Sequence, residues 1–212
     1  MNRVFLSILL SLSSLVYSQG NIFKENKVFK YLASYKTSQF ETHDTITFIV
    51  TGKMWKAAPK TSKEMIIKYD LKSIDRSLFS DLQHIGWIEN DTTGVAENDK
   101  ECWIHPPRHN QFMILELASF PRVKFPLETG MKFSNILFIG EGWGDISNSR
   151  VYNDYEVIKH IDNEWHILSE ARPTAFPDEM NRHEYIFDEK EGFTRMAYTF
   201  HNGTSIILER IE

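Results

Sequence analysis

The chain has 212 residues, 24 of them basic and 29 acidic, and so a formal net charge of −5 at neutral pH. Lysines and carboxylates are interspersed along its length, and such a surface repels nucleic acid and anionic lipid weakly instead of binding them. A single cysteine, Cys102, excludes an intramolecular disulfide, so stability must come from the hydrophobic core.

Residues 1–18 read as a secretory signal peptide. Arg3 supplies a basic start, residues 4–16 an apolar stretch diluted by serines, and Ser18 and Val16 small or compact positions before a cut ahead of Gln19. The apolar run of about 14 residues falls short of the roughly 20 that cross a bilayer as a helix, and no later segment approaches that length without charges. A lipid anchor would need cysteine at the first mature position, where Gln19 stands. The expectation is an exported protein, periplasmic or secreted, that is not an integral membrane protein. Loss of Arg3 takes the charge from −5 to −6, and residues 19–212 form one β-rich domain.

Residues 20–38 carry Ile22, Phe23, Val28, Phe29, Leu32 and Ala33 among Lys and Glu, a pattern that suits either an N-terminal helix or a first strand over 28–35. Beyond it, β-branched and aromatic runs alternate with Gly, Pro, Asn and Asp clusters, which predicts an all-β antiparallel meander. Strands are expected at 44–52, 63–71, 82–89, 99–105, 111–117, 132–139, 151–160, 164–171, 181–188, 192–200 and 204–211. That is too many for one flat sheet, so the architecture is a curved half-barrel, a closed barrel or a sandwich.

Alternation over 100–105 places Cys102 and Ile104 on one face, where the thiol acts as a small buried hydrophobe; a nucleophile paired with His105 lacks an orienting Asn or Asp. His105 and His109 flank Pro106-Pro107-Arg108, and the prolines forbid the helix on which two imidazoles four apart would hold zinc. No metal or other cofactor is therefore assigned. Arg108, on a stiff loop, suits an anion clamp or a tie to a neighbouring carboxylate.

Phe120-Pro121 and Phe125-Pro126 mark an edge or connection. The glycine-rich run 140–145 lacks the lysine and helix of a phosphate loop, and Glu141, Asp145, Asn148 and Asp154 lack calcium-loop spacing, so it reads as a relaxed turn exposing Trp143. Two hairpins follow: one at Asp162-Asn163, where Val157 and Ile158 alternate as in a sheet covered on both faces, and one at Asn202-Gly203, expected as a type I′ turn. The glycosylation patterns at Asn90 and Asn202 are read as chance matches.

Glycosidase chemistry would need two carboxyls across a cleft, and Glu97, Glu101, Glu116, Asp145 and Glu156 adjoin strand segments, although each reads as a solvated face residue. Five tryptophans, Trp55, Trp87, Trp103, Trp143 and Trp165, with Tyr152 and Phe112, either pack the core or line a cavity that stacks on a ligand.

Three stretches taken together carry a resemblance: Glu97-Asn98 followed by 102–108, then 120–130, then Gly192-Phe193 with the closing Asn202-Gly203 hairpin. Their order resembles uncharacterised exported β-rich proteins of Gram-negative bacteria and, more loosely, is similar to periplasmic lipoprotein-carrier-like half-barrels. The resemblance covers residues 95–212 and implies a curved sheet that holds a lipid; no binding residue carries over from it. Two functional readings follow. One is a non-catalytic exported binding protein for an apolar or amphipathic ligand, a lipid or glycan, or for an envelope protein, with Arg108, Trp143 and His105 as ligand contacts. The other is a hydrolase acting on envelope polysaccharide or ester. A titratable group with a displaced pKa in a cleft would favour the hydrolase, a continuous apolar cavity the binding protein.

Overall fold

A computed structural model describes residues 22–56, 62–79 and 86–211; the proposed signal peptide lies outside them. The strands are β1 (Val28–Lys36), β2 (Glu41–Met54), β3 (Ser62–Asp70), β4 (Asn90–Glu97), β5 (Glu101–Ile104), β6 (Arg122–Lys124), β7 (Lys132–Phe138), β8 (Arg150–Ile161), β9 (Glu164–Pro173), β10 (Asn181–Asp188), β11 (Gly192–Thr199) and β12 (Ser205–Arg210). They form one antiparallel sheet in the order β6-β5-β4-β3-β2-β1-β12-β11-β10-β9-β8-β7. Every neighbour pair is also consecutive in the chain except β1 and β12, which join the two ends, Tyr31 opposite Arg210. The sheet curls into a nearly closed barrel whose free edges are β6 and β7. We call the gap between those edges the seam.

Alternation decides which face is inside. In β1, Phe29, Tyr31 and Ala33 are buried, as are Ile46, Phe48 and Val50 in β2 and Tyr185 and Phe187 in β10. The opposite face meets solvent, which corrects the expectation of a sheet covered on both sides: Val157 is fully buried, its neighbour Ile158 exposed. Outward charges pair across neighbouring strands, Arg172 with Asp154 at 2.6 Å and Arg182 with Glu170 at 3.5 Å, on a surface where a membrane barrel carries an apolar band. Among the described residues, no helix is long and apolar enough to cross a membrane.

The segment expected as a strand over 111–117 is instead a 3-10 helix, Asn110–Leu117, and it sits inside the barrel. Phe112, Leu115 and Ala118 are fully buried at intervals of three, the repeat of a 3-10 turn, and Phe112 packs against Tyr69 and Tyr35 with ring centroids 6.2 and 6.4 Å apart. Asn110 takes a positive φ of 58° and its side-chain amide exchanges two hydrogen bonds, of 2.9 and 3.0 Å, with the backbone of Ile88. Those groups are thereby satisfied without a strand at 86–89, and the rest of the expected 82–89 strand lies outside the described residues. The concave face, which the lipid-carrier resemblance would leave open to a ligand, is filled by this segment and the core side chains.

Two further expectations are corrected. Residues 28–36 form a strand and no N-terminal helix is present among the described residues, because β1 is the strand through which the two chain ends pair. At the last hairpin only Gly203 has a positive φ, and Gly203 N–H donates to Phe200 O at 3.0 Å, so the loop is a three-residue turn closed by a left-handed glycine, not a type I′ pair.

Candidate functional site

The seam is where the regular ladder stops, and four separate stretches of chain meet there. They enclose a cavity of about 250 Å³ walled by Trp55, Trp103, Phe120, Leu137 and Trp143, with His105, Arg108 and Glu116 as its polar members. All three residues nominated from the sequence, Arg108, Trp143 and His105, line this one cavity.

Each wall has a local cause. Trp55 follows β2, and a Cβ on Gly94 of β4 would lie 2.6 Å from its Cδ1, so the indole rests on strand backbone that only glycine leaves bare. Trp103 faces away from Cys102 and Ile104, and the Arg122 guanidinium lies 5.8 Å from its ring centroid. Trp143 is half-buried rather than exposed: its backbone N–H donates to Ser147 Oγ at 2.8 Å, and it packs on the small cluster of Ile139, Val151 and Ala171. The segment that carries Glu116 and Phe120 is pinned to the wall by hydroxyls, with Tyr185 donating to Ser119 O at 2.5 Å and Tyr155 to Phe120 O at 3.0 Å.

The polar members differ in their freedom. His105 Nδ1 lies 2.8 Å from Pro106 O, which can only accept, so Nδ1 carries the proton and Nε2 is left as an acceptor; the ring packs at a tilt of 50° against Phe120, centroids 4.2 Å apart. Burial, helped by the Arg108 charge, lowers the His105 pKa to about 3, and the ring is neutral at physiological pH. Arg108 Nε donates to Asp91 Oδ2 at 3.3 Å and Nη2 to Thr92 O at 3.4 Å. Asp91 also receives His109 Nε2, 3.5 Å away. Burial works against the Asp91 charge, but the His109 and Thr92 hydrogen bonds and the Arg108 charge outweigh it and hold the carboxyl below its usual value. Arg108 is thus tied back to β4 on one side and open to the cavity on the other.

Glu116, expected on a solvated face, is 7% exposed, and its Oε1 is buried with no hydrogen-bond partner among the described residues. Burial raises its pKa to about 7; the Arg108 and His109 charges pull it down and Asp91 pushes it up. Sequence reasoning ranked this residue with four other carboxylates. The available signal was its place as a lone acid in the apolar run from Phe112 to Leu117.

The other sequence candidates lie elsewhere. Glu101 pairs with Arg122 at 3.8 Å and Glu156 with Lys132 at 3.1 Å, while Glu97 accepts from the N–H of Ile22 and Phe23. Asp154 is held by Arg172 on the outer face, and among the described residues no three acidic, histidine or cysteine side chains converge as metal ligands. Cys102 is fully buried on the core face, and burial, with the Glu97 and Glu101 charges, pushes its thiol well above the usual value. Trp165 donates to Glu189 at 2.8 Å and Trp87 packs 5.9 Å from Phe79; Phe112 is core and Tyr152 points outward. A larger groove, about 360 Å³, runs over the outer sheet surface past Ile158, Lys159, His166 and Arg195; it contains none of the buried unpartnered side-chain atoms.

No family model matches the chain, and no curated protein matches it in sequence. A solved structure of a candidate lipoprotein from Parabacteroides distasonis is similar at 7% identity and a TM-score of 0.44, over 90% of this chain and 99% of that one.

Proposed function

We propose that this is an exported, non-catalytic binding protein whose seam pocket holds a small amphipathic ligand with one flat apolar face and one polar edge. The observation that carries this reading is the convergence of Trp55, Trp103 and Trp143, from three distant stretches of chain, on a single cavity beside Arg108 and Glu116. Aromatic faces stack on a ring while a few convergent polar groups orient it. At about 250 Å³ the cavity lies below the roughly 300–1,000 Å³ of pockets for drug-sized ligands, which suits a single ring or the end of a longer chain. A glycan terminus has that shape, and so does the ring of an amphipathic small molecule.

The test is Trp143→Ala, assayed by calorimetry against monosaccharides and small aromatic compounds. Removing a half-buried anchor is expected to weaken binding by about 1–3 kcal/mol and to shift the melting temperature little. Normal binding with a lower melting temperature would remove the pocket from consideration. The hydrolase reading is favoured by one observation, the raised Glu116 pKa in a cleft. Against it, glycoside hydrolysis needs a second carboxyl free to act, and Asp91, the other acid of the cluster, is engaged by Arg108 and His109. Release of reducing sugar by the wild type that vanishes in Glu116→Gln would restore it.

A further inference from the structure

We infer that the ligand of the seam pocket is a ring bearing a carboxylate, its anion set between Arg108 and the carboxyl of Glu116. The inference rests on the binding reading above and names the chemical class. Its geometric basis is a pair of incomplete groups on one cavity. Arg108 spends Nε on Asp91 and Nη2 on Thr92 O, and its Nη1 has no hydrogen bond among the described residues. Glu116 Oε1 is buried with no partner there either, and buried polar atoms in folded proteins are nearly always satisfied. A ligand carboxylate supplies acceptors to both: guanidinium N–H donates to one oxygen, and the acid O–H of Glu116 donates to the other.

The charges facing Glu116 set the sign of the ligand. Arg108 is positive, Asp91 is negative but compensated by Arg108 and His109, and His105 is neutral. A cationic ligand would meet Arg108 and would require Glu116 to ionise in a buried site. An anion requires the reverse, a protonated Glu116, and a carboxylic acid kept neutral by its apolar surroundings is a strong donor to a ligand oxygen. Binding of the anion is therefore linked to proton uptake, and affinity falls as pH rises through the Glu116 pKa of about 7.

The test is calorimetric titration of the signal-cleaved protein at pH 6 and pH 8 with glucuronate and benzoate, each beside its neutral counterpart, glucose and benzyl alcohol. An acid that binds at least about tenfold more tightly than its neutral partner at pH 6, and about tenfold more weakly at pH 8 than at pH 6, supports the inference. Which acid wins decides between an acidic sugar and an aromatic acid. Glu116→Gln keeps a donor and is expected to bind with no such pH dependence; Arg108→Gln is expected to abolish the preference for the acid. Equal binding of acid and neutral probes, affinity that rises with pH, or a pH slope that survives in Glu116→Gln overturns the charge assignment and leaves the pocket standing. Failure of all four probes to bind overturns the pocket reading and this one with it.

Discussion

From β8 round through β12 to β3 the strands run six to fourteen residues, bury every second side chain, and depart from regular pairing only at three bulges. At the seam, β5 and β6 run four and three residues and β7 is a free edge, yet this is where Trp55, Trp103, Trp143, Arg108 and Glu116 meet. The wall satisfies its backbone groups through the ladder and its interior through close packing. The seam turns Arg108 and Glu116 onto a cavity, where incompletely paired polar groups cost stability and provide recognition.

The contrast breaks first on the wall. Phe48→Ala, in a fully buried position beside Tyr31, is expected to lose about 3–5 kcal/mol in urea unfolding while the folded fraction binds normally. A loss below about 1 kcal/mol would mean the barrel interior is loosely packed.

Glu116→Gln is expected to do the opposite at the seam. The folded carboxyl keeps its proton up to about pH 7, whereas the unfolded one gives it up near 4.5, so the unfolded chain binds fewer protons across that window. Stability contributed by the neutral acid thus falls as pH rises from 4.5 to 7 and is level above. The glutamine variant should match wild type near pH 4.5 and exceed it at pH 8 by on the order of 2–3 kcal/mol, measured by urea unfolding at both pH values. Wild type more stable than the variant at pH 8 would show that Glu116 is ionised and stabilising.

The wall has buried unpartnered polar atoms of its own, on Thr42, Ser62, Asn153, His183 and Tyr198 among others. His183 is fully buried among Tyr185, Tyr198 and Phe200, neither ring nitrogen has a side-chain partner, and burial lowers its pKa to about 3. Here the unfolded chain binds the extra proton, so stability is lost as pH falls below 6.5. His183→Phe should flatten the decline between pH 6.5 and 5 by on the order of 2 kcal/mol, followed as the shift in urea midpoint. An unchanged acid slope would place the acid-sensitive group elsewhere. The smallest effect is chemical: native Cys102 should resist polar alkylating reagents at neutral pH and label fully in denaturant, and rapid native labelling would contradict its burial.

The wall was legible because its strands alternate. Residues 181–188 are predicted with the bounds they have, and 164–171 and 192–200 come within two residues. The seam was not, for reasons that belong to its structure. β4 is missing from the expected strands because it begins Asn-Asp and carries Gly94, a glycine against which Trp55 rests. β6 is three residues between proline-bearing segments. The 3-10 segment mimics strand alternation over 111–117 until the three-residue spacing of Phe112, Leu115 and Ala118 is noticed. His105, Arg108 and Trp143 stand out as residues that suit neither a core nor a strand, but their common cavity depends on barrel closure, which brings β5 and the 3-10 segment beside the end of β7. Glu116 was hidden by the same cause, since a carboxylate beside a strand reads as a solvated face residue.

The five tryptophans offer the most direct measurement, because three lie on the seam and two on the rest of the barrel. In a proton–nitrogen NMR titration with glucuronate or benzoate at pH 6, the indole N–H resonances of Trp55, Trp103 and Trp143 should shift with one common saturation curve while those of Trp87 and Trp165 stay still. Shifts at Trp87 or Trp165 with the seam indoles unmoved, or no shift at any of the five, would contradict a ligand site at the seam.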